Sequence, residues 1–174
     1  KRVAENTWPQ EMAKWEHLTG LSYSLVLGSK KQRENALGKK ASVYIINREN
    51  VAWLVENYEW DFDTVVIDEL SSFKSNQAQR FKALKKVRPK VRRMIGLTGT
   101  PAPNSLLDLW PQMFLLDMGQ RLGRFIGGYR DRFFLPDKRN REIIYSYKPR
   151  EGSEEKIYEL VSDICISMKA VDFL

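Results

Sequence analysis

The stretch TVVIDEL at residues 64–70 decides the fold of this chain. Its run of β-branched apolar residues predicts a strand buried inside a parallel sheet, and the run passes directly into two carboxylates, Asp68 and Glu69. Open parallel sheets bind their ligands beyond the carboxyl ends of the strands, where both carboxylates are expected. Mg²⁺ on a nucleotide prefers one or two carboxylates besides phosphate oxygens and water. This strand end is therefore a candidate nucleotide site. The alternative is a strand that ends in a solvated acidic turn.

A second predicted strand end carries hydroxyl groups. Residues 92–98, RRMIGLT, predict a strand that leads into Thr98-Gly99-Thr100-Pro101. Threonine hydroxyls and free backbone N–H groups at such a turn can bind a phosphate or sense the water that attacks it. A turn that merely stops the strand is the alternative interpretation. If the two strands are neighbours, their ends bring an acid pair and a hydroxyl-bearing turn to one rim of the sheet.

Apolar runs of strand length alternate with segments of helical period along most of the chain. Strands are predicted at residues 22–27, 42–47, 64–70, 92–98 and 164–168. Helices are predicted at residues 7–18, 29–37, 48–58, 75–87, 105–116 and 153–163, with Ser29 and Ser153 as N-caps. This alternation is typical of an α/β fold with a mostly parallel sheet, whose strands are buried on both faces.

The alternating pattern breaks down between residues 119 and 150. This stretch contains four glycines, and it has nine Lys or Arg residues against three Asp or Glu residues. We interpret it as a basic insertion with one short helix and a β-ribbon near residues 141–147. Its charge makes it a candidate addition to a surface that binds nucleic acid.

The composition of the chain excludes several classes of protein. Among 174 residues, 29 Lys and Arg stand against 22 Asp and Glu, and the net charge of +7 favours a polyanionic partner. One cysteine and one histidine exclude an intramolecular disulfide and a zinc site built from these residues. No apolar run is long enough to span a membrane. Because Lys1 opens the sequence without an initiator Met or an apolar signal region, we interpret the chain as an internal piece of a longer cytoplasmic protein.

The two strand ends together resemble motifs of a known family. VVIDEL at 65–70 and GLTGTPAPN at 96–104 resemble motifs II and III of superfamily 2 helicases. Within that superfamily, they look like the motifs of the Swi/Snf family of ATP-dependent DNA translocases. Residues 6–15 resemble the motif Ia region, and Ile-Ile-Asn-Arg at 45–48 falls where motif Ib is expected. The similarity continues into the helix after motif III, at residues 109–115.

This resemblance implies a fold, a reaction and a set of site residues. The fold is a three-layer α/β RecA-like lobe with a mostly parallel sheet, and the reaction is DNA-dependent hydrolysis of ATP with Mg²⁺. Asp68 would hold the metal ion, and Glu69 would activate the hydrolytic water. Five residues would couple the state of the bound nucleotide to the binding of DNA, namely Ser71, Thr98, Gly99, Thr100 and Pro101. The contacts to the phosphates of duplex DNA would come from Arg2, Asn6, Thr7, Asn47, Arg48 and Asn104.

The sequence departs from the family pattern at two points. Motif II of the family commonly ends in Ala-His or a close variant, whereas here it ends in Leu70-Ser71, and Ser71 cannot form an ion pair. The phosphate-binding pattern G-x-x-x-x-G-K-[ST] is also absent from the sequence. We therefore expect a lobe that lacks its phosphate-loop strand, and we expect the chain alone not to hydrolyse ATP.

The resemblance also predicts how the chain is organised. Residues 1–118 would form the partial first lobe, residues 119–150 the insertion, and residues 151–174 a closing helix and strand that lead to an absent second lobe with arginine fingers. The missing strand would leave an unpaired edge beside strand 92–98. That edge would be filled by residues 164–168, by a second chain through self-association, or by nothing.

Two other classes of function stay open at this point. One is a non-enzymatic basic module that binds nucleic acid or protein through residues 71–107 and 119–150. The other is a different α/β enzyme that uses Asp68 and Glu69 as a bare metal site. The lack of long insertions favours a bacterial or phage origin over a eukaryotic one.

Overall fold

The computed structural model describes residues 3–140 and 143–168. Helices in this part are α1 Trp8–Lys14, α2 Lys30–Leu37, α3 Val51–Asn57, α4 Gln79–Val87, α5 Leu109–Asp117, α6 Ile126–Phe133 and α7 Ser153–Val161. Its strands are β1 Tyr23–Val26, β2 Val43–Ile46, β3 Thr64–Asp68, β4 Arg93–Leu97, β5 Phe134–Pro136 and β6 Tyr147–Pro149. The chain divides into two units, Lys1–Glu59 and Trp60–Leu174. The predicted α/β fold with mostly parallel strands is confirmed.

The first unit is built on a parallel pair of strands. β1 pairs with β2 in register from Tyr23 beside Val43 to Val26 beside Ile46. Between them, α2 begins with a capping box, in which the Ser29 hydroxyl accepts from the Gln32 N–H and the Gln32 side chain accepts from the Ser29 N–H. The predicted cap at Ser29 is therefore confirmed, and two of the free N–H groups at this helix end are satisfied.

The second unit contains the other parallel pair, which carries both candidate site segments. β3 pairs with β4 from Thr64 beside Arg93 to Asp68 beside Leu97. Helix α5 packs against β4, and its buried Trp110 lies beside the buried Phe81 of α4, with ring centroids 6.2 Å apart. The strands therefore lie against an aromatic core on one face.

A buried arginine fixes the end of α5. Arg88 follows α4, and its guanidinium donates to the carbonyls of Leu115, Leu116 and Val91. Carbonyls in the last turn of a helix lack partners within the helix, so these bonds cap α5. Burial lowers the pKa of the Arg88 guanidinium, and the nearby carboxylate of Asp117 opposes this shift.

The basic insertion folds as a helix followed by a ribbon. α6 leads directly into β5, which pairs antiparallel with β6. A further bridge joins Arg139 and Ile144, so the ribbon extends beyond the two short strands. The predicted combination of one short helix and a ribbon is correct, but the ribbon is longer than the predicted residues 141–147. Residues 141 and 142 lie outside the described part.

The predicted closing strand at 164–168 is wrong, because these residues form no strand and do not pair with β4. Ile166 and Met168 are 88% and 70% exposed. β-propensity reflects packing against a neighbouring strand, and the apolar run ICISM meets no such neighbour among the described residues. The predicted N-cap at Ser153 is also wrong. Gly152 precedes the helix with φ +68°, and Ser153 is its first residue.

The faces of the β3–β4 pair are unequally covered. Val66, Ile95 and Leu97 point to the same face, which is exposed, whereas Ile67 on the opposite face is buried. The prediction that the strands are buried on both faces is therefore wrong for this pair. Within residues 3–140 and 143–168, β4 pairs with β3 alone, in line with the expectation of an unfilled edge.

None of the helices in the described part of the chain combines the length and apolar character needed to cross a bilayer. The chain divides into its two units between residues 59 and 60. This division does not test the boundary predicted at residues 118–119, which stays a prediction.

Candidate functional site

The ends of β3 and β4 bring the two candidate segments together. The register places Asp68 beside Leu97, so Glu69 and Thr98 are the first residues beyond the paired strands. Glu69 adopts the left-handed conformation, with φ +59° and ψ +62°, and a short 3₁₀ turn, Leu70–Phe73, follows it. Non-glycine residues seldom adopt this conformation, and those that do cluster at functional sites.

A chain of hydrogen bonds joins the acidic turn to the threonine turn. The Thr98 hydroxyl donates to Glu69 Oε1 at 3.1 Å, and the Ser71 hydroxyl donates to the same oxygen. The Thr100 N–H in turn donates to Thr98 Oγ1 at 3.3 Å. Because Ser71 and Thr98 share one carboxylate oxygen, a displacement of Glu69 changes the bonds of both turns.

Close backbone packing makes this arrangement possible. A Cβ at Gly96 on β4 would collide with the Leu70 side chain, which is buried beneath the turn. Glycine at this position therefore lets the turn after β3 settle against β4. Gly96 belongs to the stretch 96–104 that the sequence singled out, but only the structure shows which side chain it accommodates.

Helix α5 holds the loop that follows Thr98. Gln112 is fully buried, and its amide donates to the carbonyls of Pro101 and Asp108 at 2.5 and 2.7 Å. Asp108 Oδ2 accepts from the Asn104 N–H at 3.1 Å. The loop is thus tied to α5 at two points. Sequence reasoning missed Gln112 and Asp108, although a single glutamine within the apolar run LWPQMFLL was a signal.

The carboxylates at this rim fit a metal ion whose other ligands are water and phosphate oxygens. Asp68 and Glu69 are adjacent and exposed, and both are hard oxygen donors. In the described part of the chain, no group of three or more His, Cys, Asp or Glu side chains is arranged to hold a metal. A hydrated Mg²⁺ on a phosphate needs only one or two carboxylates, whereas an ion held entirely by protein needs more.

The candidate DNA-contact residues are distributed over both units. Asn6 and Thr7 are exposed in the turn Val3–Thr7, and Asn47 and Arg48 directly follow β2, all in the first unit. The exposed Arg48 lies 3.3 Å from the carboxylate of Glu49. Asn104 belongs to the second unit, and Arg2 lies outside the described residues. The structure brings Glu69, Ser71, Thr98 and Thr100 together, while Gly99 and Pro101 lie in the same loop.

Comparisons with known proteins show the family to which this chain belongs. Residues 1–145 match the family model of the SNF2-related domain. Putative protein p41 of Acyrthosiphon pisum secondary endosymbiont phage 1 is 37% identical over 180 residues, which cover 99% of this chain and 39% of p41. TATA-binding protein-associated factor mot1 of Schizosaccharomyces pombe is 30% identical over 151 residues, which cover 83% of this chain and 7% of mot1.

A solved structure shares the fold. The Sulfolobus solfataricus SWI2/SNF2 ATPase core in complex with dsDNA superposes with a TM-score of 0.67 at 24% identity, covering 92% of this chain and 30% of that one. The fold is therefore that of an α/β lobe of the RecA type. The chain belongs to the SNF2-related domain family. It spans about two fifths of the length of p41 and a smaller share of the other relatives.

Proposed function

We propose that this chain forms part of the first lobe of a DNA-dependent ATPase that moves along or remodels DNA. The observation that carries the proposal is the shared hydrogen bonding of Glu69 with Thr98 and Ser71 at the rim of β3 and β4. That rim is where parallel sheets bind ligands, and family membership supports a nucleotide as the ligand. Two motifs meeting at one oxygen favour this function over a basic module without an active site.

The two carboxylates would have different roles. Asp68, at the last position of β3, would hold Mg²⁺ bound to ATP. Glu69 would accept a proton from the water that attacks the γ-phosphate. When bound, the metal ion would neutralise negative charge on the phosphate oxygens. Because Glu69 accepts two hydroxyl hydrogen bonds, its carboxylate is held in one orientation relative to this water.

The loop of residues 98–101 would transmit the state of the nucleotide. The Thr98 hydroxyl donates to Glu69, and the Thr100 N–H donates to Thr98. The Pro101 carbonyl accepts from Gln112 of α5. A change at the γ-phosphate that moves Glu69 therefore reaches α5 through three hydrogen bonds. Ser71 and Gly99 would take part, the first by its bond to Glu69 and the second by allowing the loop to turn.

The DNA partner is proposed on the strength of the solved neighbour, an ATPase core in complex with dsDNA, and of the net charge of +7. Arg2, Asn6, Thr7, Asn47, Arg48 and Asn104 would contact phosphates. Such contacts position a duplex without reading its sequence. We further propose that ATP hydrolysis needs a phosphate-binding loop and a second lobe, since the chain spans only 39% of p41. The phage relative supports a phage or bacterial source.

Glu69→Gln, made in the protein expressed from the complete reading frame that encodes this chain, tests the proposed function. We expect DNA-stimulated ATP hydrolysis to fall by roughly 10²–10⁴-fold, the typical contribution of general acid–base catalysis. ATP binding, measured with a fluorescent analogue, should persist because Asp68 is retained. The matched control is Glu56→Gln, on the exposed side of α3, which should leave hydrolysis unchanged. Hydrolysis at the wild-type rate by the Glu69→Gln protein would overturn the proposal.

A further inference from the structure

We propose that the exposed lysines of α4 and of the turn after it bind the phosphates of duplex DNA. They are Lys82 and Lys86 on α4 and Lys90 in the short 3₁₀ turn Arg88–Lys90, and we call them the lysine row. This proposal rests on the DNA partner proposed above and adds a contact surface to it. The lysine row belongs to none of the motifs that resemble those of the family.

Helix α4 buries its apolar side and exposes lysines on the other side. Phe81, Leu84 and Val87 are buried, and the helix packs against α5. Lys82 and Lys86 are exposed and lie one helical turn apart. Because the buried side chains fix the rotation of α4 about its axis, both lysines are held at the surface of the molecule.

The lysine row has no carboxylate that neutralises it in the described part of the chain. None of its three lysines forms an ion pair with another described residue. Residues 70–107 contain nine Lys or Arg residues and no Asp or Glu. On α5, Asp117 is paired with Arg121, and the Asp108 carboxylate accepts from a backbone N–H. Unpaired cations of one sign create a positive field that attracts a polyanion.

Helix α4 also lacks the kind of intrahelical ion pair that α2 contains. On α2, Lys30 lies 3.8 Å from Glu34, four residues along the helix. On α4 the same spacing joins Lys82 to Lys86, and like charges at this spacing destabilise a helix. Arg80 lies in the first turn, where the helix dipole disfavours a cation. These charges therefore do not stabilise the helix, whereas a bound polyanion would relieve their repulsion.

The chemistry of the lysine row suits phosphates better than a protein partner. The exposed positions of α4 are Gln79 and lysines, and protein interfaces are depleted of lysine and enriched in aromatic residues. Lysine binds phosphate as a point charge. Lys82 and Lys86 are about 6 Å apart along the helix axis, and each strand of duplex DNA carries one phosphate about every 3.4 Å. Each lysine can therefore contact a phosphate of its own.

Binding of the 174-residue chain to a fluorescent 20-base-pair duplex, followed by anisotropy over a salt series, tests this proposal. In the row variant, Lys82, Lys86 and Lys90 are changed to alanine. Lys85 is kept, because its ammonium group packs 4.7 Å from the centroid of the Phe114 ring. We expect the affinity to fall by roughly tenfold or more at 0.1 M salt. The slope of log affinity against log salt should fall in magnitude by about 2–3, because each phosphate contact contributes roughly 0.9.

Two further variants show whether position or charge alone matters. Arginine at all three positions of the row keeps the charge and should keep the affinity. The matched control removes the same charge from the first unit. Its residues, Lys31, Lys39 and Lys40, are exposed and form no ion pair with another described residue. Their replacement by alanine should change the slope by less than about 1. An equal loss in this control would overturn the proposal, because the effect would then follow net charge alone.

Thermal unfolding, followed by circular dichroism, separates a binding role of the row from a structural one. Alanine removes the repulsion between Lys82 and Lys86 and is a better helix former than lysine. The midpoint of unfolding of the row variant should therefore equal or exceed that of the wild type. A midpoint well below the wild-type value would show that the lysines serve the fold, and the proposal would fail. A wild-type chain that does not bind the duplex would overturn it as well.

The remaining arms separate this proposal from other partners and from the proposed function. If unlabelled poly-glutamate displaces the chain from DNA as effectively as unlabelled duplex does, the partner is an acidic polypeptide and the assignment to DNA is wrong. If an RNA duplex binds more tightly and shows the same loss in the row variant, that assignment is wrong too. If replacement of Asn47 and Arg48 by alanine weakens binding while the row variant binds normally, the lysine row fails and the proposed motif contacts stand. ATP hydrolysis by the Glu69→Gln protein is measured independently of these outcomes.

Discussion

Glu69 holds a left-handed backbone conformation although it is not a glycine. The cost of that conformation for an L-residue is about 1–2 kcal/mol. The turn directs its carboxylate between the hydroxyls of Ser71 and Thr98 instead of continuing β3. The sequence predicted a strand to residue 70, because the apolar run and Leu70 fit a strand and nothing in Glu69 favours a left-handed turn. Of the two hydrogen bonds that Glu69 accepts, the one from Thr98 joins residues 29 positions apart, and a single-sequence pattern does not contain such a contact.

Gln112 supports a prediction about the loop at 98–104. Its amide donates to two carbonyls, while its own oxygen Oε1 is buried without a hydrogen-bond partner among the described residues. A leucine of similar volume removes the bonds and the unpartnered oxygen together, so stability should change by only about 1 kcal/mol. The loop should nevertheless lose its hold on α5. We expect faster hydrogen exchange at the Thr100 amide in Gln112→Leu, measured by NMR or mass spectrometry.

The control for this prediction is Gln120→Leu, an exposed glutamine just beyond α5. It should leave exchange in the loop unchanged. Unaltered exchange at Thr100 in Gln112→Leu, with the protein folded, would contradict the view that this side chain positions the loop.

At the scale of helices and strands, the sequence was most informative where the signals are local. The capping box at Ser29 and Gln32 and the apolar periodicity of α4 lie within a few residues, and both helices were predicted. The strand at 164–168 failed because a strand needs a neighbour, which the segment itself does not specify. The ends of β3 and β4 were predicted to meet from a rule about parallel sheets, and their register confirms it.

An ion pair between the segments that follow α5 and α7 supports a prediction about pH. Arg121 donates to both oxygens of Asp163, with Nε to Oδ1 at 2.7 Å, and its Nη1 also reaches Asp117. Hydrogen bonding to Arg121 is the main cause of a lowered pKa for the Asp163 carboxyl. A carboxyl whose pKa is lower in the folded state stabilises the fold above its unfolded pKa of about 4. This stabilisation is lost as the pH falls through the folded pKa.

We therefore expect Asp163→Asn to lower the midpoint of thermal unfolding at pH 7. The difference from the wild type should shrink on acidification and disappear below the folded pKa of Asp163. Glu59→Gln, at an exposed position outside the helices and strands, is the control and should show no such pH-dependent difference. A difference that stays constant from pH 7 to pH 2 would mean that the ion pair is not its source.

At the scale of the whole molecule, the two parallel strand pairs belong to different units, and one pair presents an uncovered apolar face. Val66, Ile95 and Leu97 form this face, and in the described residues the outer edge of β4 has no strand beside it. Buried strands normally have both faces covered, so a face of this kind favours contact with another polypeptide. The sequence predicted the open edge from the missing phosphate-binding pattern, but it did not predict that the face would be uncovered.

We propose that copies of this chain associate through the β4 edge and the adjoining apolar face. Unpaired N–H and C=O groups along an edge strand form a template for another strand, and the exposed face adds apolar area to the contact. Sedimentation velocity over a concentration series should reveal dimers or larger species. Ile95→Lys should suppress them, because a lysine on the face repels its counterpart in the second copy. Leu21→Lys, at a residue 42% exposed compared with 39% for Ile95, introduces the same charge elsewhere and should not suppress association. Association that persists equally in both variants would place the contact on another surface.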